Sequence, residues 1–186
     1  DDERDGRFHT RLEDLVSDLK AKGVTQVTGS IVGDETLFDT VRQGPWASRL
    51  NDQSGPLSAL TVNEGYSSWP ANPKDVKPRV EADNPALWAA TQAAKVLAAQ
   101  GITVGPPAAG PAPSGAQEVA FVLSPPLTDV VTHINSFSSN LGAELLLKKL
   151  AKVGSGQGTT PAGAALVMAR LKAAGIPTDG LHIDDG

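Results

Sequence analysis

A break between two helical patterns is the feature that most constrains how this chain folds. Residues 125–137 (PPLTDVVTHINSF) and 141–152 (LGAELLLKKLAK) both carry apolar side chains at helical spacing. Between them lie three small polar residues, Ser138, Ser139 and Asn140. Ser and Asn are favoured at helix starts, because their side chains accept hydrogen bonds from free backbone N–H groups. The pattern predicts two helices joined by a tight polar connection over 135–140.

The remaining segments predict a mixture of helices and short strands. Asn84 can cap a helix, and Pro85 suits its first turn. Stretches rich in Pro, Gly and polar residues at 70–85 and 105–116 predict connections. The fold class predicted is α+β, with an αβ-rich domain at 1–82 and a helix-dominated domain at 83–186. Helices are predicted at 11–23, 84–101 and 159–175, and strands at 25–38, 55–66, 119–123 and 181–183.

Composition narrows the class of function. The 16 basic residues against 21 acidic ones give a net charge of −5, and the basic residues are scattered. A nucleic-acid partner is therefore not expected. No run approaches the length of about 18 apolar residues that a membrane span needs. The absence of cysteine excludes disulfides and thiolate chemistry, but it leaves the compartment open.

Several motifs favour an ordinary structural role. Ser17 and Lys20 match a Ser-x-x-Lys pattern, but they flank the apolar stripe of an amphipathic helix and are interpreted as a solvated face. The stretch 154–160 (GSGQGTT) lacks the lysine of a phosphate-binding loop and is interpreted as an inter-helix connection. The histidines share no ligand spacing, so neither a metal nor another cofactor is expected. The tryptophans are expected in the core or at an interface. The histidines are His9, His133 and His182, and the tryptophans are Trp46, Trp69 and Trp88.

The Ser138–Asn140 segment has two possible interpretations. The first is helix capping, which an inter-helix turn requires. The second is catalytic: a tight turn between two helices can hold a hydroxyl and an amide, two residues apart, toward one cleft. Such an arrangement suits a proton-relay group beside a group that orients the substrate.

Further segments stand in a characteristic order around this motif. They are SPPLTDVVTHINSFSSNLGAELLLKKL, a Gly-rich loop, TTPAGAALVMARLKAAGI and TDGLHIDDG, preceded by LEDLVSDLKAKGVTQVTGSIVGDETLFD and GPLSALTVNEG. In this order the chain resembles the penicillin-binding D-alanyl-D-alanine carboxypeptidases. It is most similar to the low-molecular-mass carboxypeptidase/endopeptidase branch that has an inserted domain between its first two active-site motifs.

The resemblance implies a serine hydrolase that acts on the D-Ala-D-Ala peptides of peptidoglycan and is inhibited by β-lactams. In this family a lysine-activated serine, a Ser-x-Asn motif and a Lys-Thr-Gly strand meet in one cleft. Ser138 corresponds to the serine that passes a proton to the leaving amine. Asn140 corresponds to the asparagine whose amide binds the substrate's peptide carbonyl. Residues 1–82 would belong to the inserted domain and 83–186 to the penicillin-binding domain, which resembles serine β-lactamases. The location would be extracytoplasmic.

The chain also departs from the family pattern. It has no nucleophile motif at the expected place, and Lys-Thr-Gly occurs nowhere in it. We therefore expect a central portion of a longer enzyme, inactive by itself, whose partners are the missing N- and C-terminal segments. Two alternatives stay open: a catalytically inactive scaffold or binding homologue, and an unrelated soluble α+β domain.

Overall fold

A computed structural model describes residues 10–44, 55–68 and 79–186. These residues form five α-helices and four short strands, which confirms the predicted α+β class. The helices are α1 (Leu12–Ala21), α2 (Pro85–Ala99), α3 (Leu127–Phe137), α4 (Asn140–Ser155) and α5 (Thr160–Ala173). The strands are β1 (Val32–Gly33), β2 (Tyr66–Ser68), β3 (Val80–Glu81) and β4 (Ala108–Ala109). Within these residues no helix is both long and apolar enough to cross a membrane.

The first packing layer joins α1, α2 and the β1–β4 pair. Val16 of α1, Leu97 of α2 and Ile102 are buried together. Strands β1 and β4 run parallel, with Val32 opposite Ala108. Gly33 is required here, because a Cβ at this position would lie 2.1 Å from the Ala86 carbonyl oxygen. The absence of that atom lets β1 lie directly on the first turn of α2.

Helix α2 begins where the sequence predicts. The Asn84 side chain accepts a hydrogen bond from the Leu87 N–H at 2.9 Å, and Pro85 occupies the first turn. Four alanines, Ala86, Ala89, Ala90 and Ala94, lie on its buried face, so the helix lies close to its neighbours. Because α2 packs on α1 and β1, the contacts of this layer cross the predicted boundary at residue 82. The division into domains 1–82 and 83–186 stays a prediction.

The second layer is the pair of helices α4 and α5, joined by the Gly-rich connection. Gly156 ends α4 with a left-handed backbone (φ 78°), and Thr159 caps α5 by accepting from the Ala162 N–H. Gly163 lies against Leu147 of α4, where a Cβ would come within 2.6 Å of the leucine Cγ. The interpretation of 154–160 as an inter-helix connection is confirmed.

The strand predictions were largely wrong. Only Val32–Gly33 and an isolated bridge between Gln26 and Thr103 represent the strand predicted at 25–38. The strand predicted at 55–66 does not form before Tyr66. Ser58 forms a local turn by accepting from the Leu60 N–H, and Asn63–Gly65 form a short 3₁₀-helix. At 119–123 and 181–183 no strand forms, since no neighbouring strand lies beside either segment in the described part of the chain.

Candidate functional site at the corner of α3 and α4

The predicted connection between two helices is present. Helix α3 ends at Phe137 and α4 begins at Asn140, so two residues turn the chain. Ser138 takes a left-handed backbone (φ 53°, ψ 48°), which is uncommon for a residue other than glycine. The Ser139 N–H donates to the Ile134 carbonyl at 3.0 Å and closes the turn. The corner is therefore held by backbone geometry.

The helix cap in this corner is the middle residue of the motif. The Ser139 Oγ accepts a hydrogen bond from the Gly142 N–H at 3.1 Å. Among the described residues, neither the Ser138 hydroxyl nor the Asn140 amide makes a hydrogen bond. Capping thus accounts for Ser139 and leaves two polar side chains that the local fold does not use.

Close contact between the two helices keeps the corner compact. A Cβ on Gly142 would lie 2.8 Å from the Ile134 Cγ1 and 3.0 Å from the Ser139 Oγ. Glycine therefore lets the first turn of α4 approach α3. Next to it, Leu141 is buried and anchors the start of α4. These contacts fix where the side chains of the motif leave the backbone.

The two predicted site residues differ in their surroundings. Ser138 is exposed, and Asn140 is half-buried. A cavity of about 400 Å³ lies beside the corner. Ser139 and Gly142 line it together with His133, Lys149 and apolar residues, whereas Ser138 and Asn140 do not. That Ser138 and Asn140 face a common cleft stays a prediction.

The Ser17–Lys20 pair has the geometry of a solvated helix face. Both residues are exposed. The Ser17 hydroxyl donates to the Glu13 carbonyl of its own helix at 2.8 Å, and the Lys20 ammonium donates to the Gln100 carbonyl at 3.2 Å. The lysine is therefore directed to α2 and is not placed to activate the serine.

Three of the histidines and tryptophans named in the sequence lie within the described residues. His133 lies in α3 against Phe137, and His182 is exposed. In the three described ranges, no group of His, Asp and Glu side chains is arranged to hold a metal ion. Trp88 is half-buried on α2. His9, Trp46 and Trp69 lie outside the described residues.

Two buried charged residues on α4 were not predicted. Glu144 and Lys148 are only 0% and 1% exposed. Lys148 Nζ lies 2.6 Å from Asp39 Oδ1, and Glu144 accepts hydrogen bonds from the Thr160 hydroxyl and the Gly186 N–H. Their spacing of one helical turn, on the same face as Leu141 and Leu147, is the sequence signal that could have revealed them.

These contacts gather three segments around one face of α4. Asp39 and Thr160 also line a second cavity of about 450 Å³, together with Asp184. Since α4 begins at the Ser138–Asn140 corner, the buried charges hold the helix that carries the predicted site. Glu144 and Lys148 lie four and eight residues after Asn140 in the same helix.

A second ion pair stabilises the segment that leads into this region. Arg42 forms two hydrogen bonds of 2.5 Å with the carboxylate of Glu35, and Ser58 donates to the same carboxylate at 2.6 Å. The Arg42 hydrogen bonds, with a smaller contribution from Ser58, hold the pKa of Glu35 below its usual value, although burial opposes them. The carboxylate is therefore charged at neutral pH.

Comparison with known proteins identifies the family. The model of the D-Ala-D-Ala carboxypeptidase 3 (S13) family matches residues 4–78 and 67–186, which together cover nearly the whole chain. The chain belongs to this family. A protein of Mycobacterium tuberculosis named carboxypeptidase Rv3627c is 28% identical over 178 residues, which cover 94% of this chain and 36% of that protein.

The family assignment predicted from the order of the motifs is thus confirmed. The match to the D-Ala-D-Ala carboxypeptidase family over 67–186 includes the α3–α4 corner with Ser138 and Asn140. It also includes the buried charges of α4. The roles of Ser138 and Asn140 stay predictions.

Proposed function

We propose that this chain supplies the middle active-site motif of a serine-type D-Ala-D-Ala carboxypeptidase or endopeptidase. The substrate class is the stem peptides of peptidoglycan, and the location is therefore extracytoplasmic. The nucleophilic serine with its lysine, and the Lys-Thr-Gly strand, would come from parts of the same polypeptide outside residues 1–186. The span of 36% of the mycobacterial relative supports a longer parent protein.

The chemistry proposed is acyl transfer. The serine oxygen attacks the carbonyl carbon of the D-Ala-D-Ala amide, and the C–N bond breaks as the leaving amine takes a proton. Ser138 would pass that proton, and the Asn140 amide would donate a hydrogen bond to a peptide carbonyl of the substrate. Water then hydrolyses the ester and releases the acid. A β-lactam would form the same kind of ester and inhibit the enzyme.

One observation carries the assignment to Ser138 and Asn140. In this corner the helix cap is Ser139, so the hydroxyl of Ser138 and the amide of Asn140 are not used by the fold in the described residues. A purely structural Ser-Ser-Asn turn would need only the central serine. Two unused polar groups beside a rigid cap are what substrate contacts require.

The test is acylation of the full-length polypeptide by benzylpenicillin, followed by intact-mass spectrometry. We expect Ser138→Ala and Asn140→Ala to slow acylation by about 10²–10⁴-fold, the usual contribution of a positioned proton-transfer or orienting group. Their melting temperatures should change little, because Ser138 is exposed, Asn140 is only half-buried, and neither side chain is hydrogen-bonded in the described structure.

The matched comparison is Ser139→Ala, which should lower stability but acylate at a rate close to that of the unmodified protein. If Ser138→Ala and Asn140→Ala acylate at the unmodified rate, the site assignment is wrong. If the unmodified full-length protein forms no adduct, the catalytically inactive scaffold becomes the better description.

A further inference from the structure

The segment 119–123 (VAFVL) is an apolar run without the packing that such a run normally has. Val119, Phe121 and Leu123 are 51%, 53% and 81% exposed, and Val122 is exposed as well. From 116 to 126 the chain contains no helix, turn, bend or paired strand. Single exposed apolar residues are ordinary, but a contiguous apolar run marks a surface that is covered in the working protein.

The backbone of this segment is almost unpaired. Over residues 118–123, the one backbone hydrogen bond among the described residues runs from the Phe121 N–H to Asp18 Oδ2 at 3.4 Å. Helix α1 approaches from the same side, since Lys22, the ion-pair partner of Asp18, lies 5.8 Å from the centre of the Phe121 ring. One edge of the segment is therefore next to α1.

The backbone N–H groups of Ala120 and Val122 donate no hydrogen bond within the described residues. Since successive N–H groups of a strand point to alternate sides, a strand formed by 119–123 would direct these two groups away from Asp18. Among the described residues nothing accepts from them. A row of free N–H and C=O groups beside β-branched and aromatic side chains is the surface to which another β-strand pairs.

The pattern of side chains indicates how completely the segment must be covered. A strand with one face in water alternates apolar and polar residues, whereas a strand buried on both faces is apolar throughout. All five residues of 119–123 are apolar. A second copy of this chain that paired edge to edge would leave both faces in water. The pairing strand must instead belong to a sheet that has further layers packed on both of its faces.

We propose that 119–123 is a strand buried on both faces. It pairs, along its Ala120–Val122 edge, with a β-strand of the same polypeptide outside residues 1–186. This inference rests on the proposed function only in requiring a longer parent protein, which the 36% coverage of the mycobacterial relative supports. It places the docking surface directly before α3, and hence one helix away from Ser138.

Amide hydrogen exchange on the full-length polypeptide and on residues 1–186 tests this pairing. In the full-length protein the Ala120 and Val122 amides should exchange at least about a hundredfold more slowly than in the shorter chain. The Leu147 amide, in the buried part of α4, should be protected in both and is the internal reference. Light scattering on the same samples gives the oligomeric state.

Rapid exchange at Ala120 and Val122 in the full-length protein would overturn the proposal, whatever the shorter chain does. Protection in residues 1–186 that rises with concentration, together with a dimer, would also overturn it by identifying a second copy as the occupant. Penicillin acylation of the same full-length sample distinguishes a failure of the strand pairing from a failure of the proposed function. Protected amides without an adduct leave the strand pairing intact, and an adduct with unprotected amides removes the pairing alone.

Discussion

At the scale of single residues, the helix cap of the α3–α4 corner is Ser139. Ser139 stabilises the start of α4 through the hydrogen bond from Gly142, so Ser139→Ala should lower the free energy of unfolding by about 1 kcal/mol. Ser139→Asp keeps an acceptor at the cap and should retain most of the stability. Chemical denaturation of residues 1–186 measures both variants. Equal stability of Ser139→Ala and the unmodified chain would show that the cap contributes nothing.

The buried ion pair between Lys148 and Asp39 predicts an asymmetric response to mutation. Lys148 is 1% exposed, whereas the Asp39 side chain retains 25% exposure. Asp39→Leu leaves a buried ammonium whose remaining partner among the described residues is the Val41 carbonyl at 3.5 Å, and should cost about 3–5 kcal/mol. Lys148→Met removes the buried charge, and water can reach the remaining carboxylate, so its cost should be smaller.

A double-mutant cycle in urea measures this asymmetry. The Asp39→Leu/Lys148→Met variant should be more stable than Asp39→Leu alone, because it no longer contains an uncompensated buried charge. If Asp39→Leu is the milder of the two single changes, Lys148 is not held in the described buried position.

At the scale of elements, α4 and α5 approach each other closely at Gly163. Gly163→Ala adds a methyl group 2.6 Å from the Leu147 Cγ and 2.7 Å from its carbonyl oxygen. Alanine is the better helix former by about 1 kcal/mol, but backbone of the neighbouring helix cannot move away easily. We expect a net loss of about 1–3 kcal/mol. Gly29→Ala, with nothing within 4 Å, is the control and should change stability by less than about 1 kcal/mol. Thermal melts of both variants decide whether the helices touch as described.

The helices could be predicted from the sequence because their signals are local. Asn84 and Pro85 at the start of α2, and Gly156 after α4, determine ends without help from distant residues. Strands require partners, and the sequence does not specify them. The segment 119–123 has the composition of a strand but no neighbour in the described structure, and β1 is reduced to two residues because Asp34 accepts from the Thr36 N–H and turns the chain.

At the scale of the whole molecule, the corner between α3 and α4 was predictable from the sequence, but its hydrogen bonding was not. The order of motifs pointed to Ser138 and Asn140, and the family assignment agrees with that order. The identity of the cap as Ser139 depends on the left-handed backbone of Ser138, which no propensity reveals. The burial of Glu144 and Lys148 depends on segments that are distant in the sequence. Asp39, the partner of Lys148, lies more than a hundred residues before it.

The pH dependence of stability should show the contribution of the Glu35–Arg42 pair. The folded-state pKa of Glu35 lies below the unfolded value of about 4.3, because Arg42 hydrogen bonds to its carboxylate. The resulting stabilisation is therefore fully present above that unfolded value and is lost as the pH falls through the folded-state pKa.

With the Glu35 side chain only 18% exposed, Glu35→Gln should cost about 1–3 kcal/mol at pH 7. Urea unfolding from pH 7 down to 2.5 should show the two stability curves converging below about pH 4. Glu118→Gln, at an exposed position, is the control and should give a curve parallel to that of the unmodified protein. A constant gap between the Glu35→Gln and unmodified curves at every pH would mean that the carboxylate charge does not stabilise the fold.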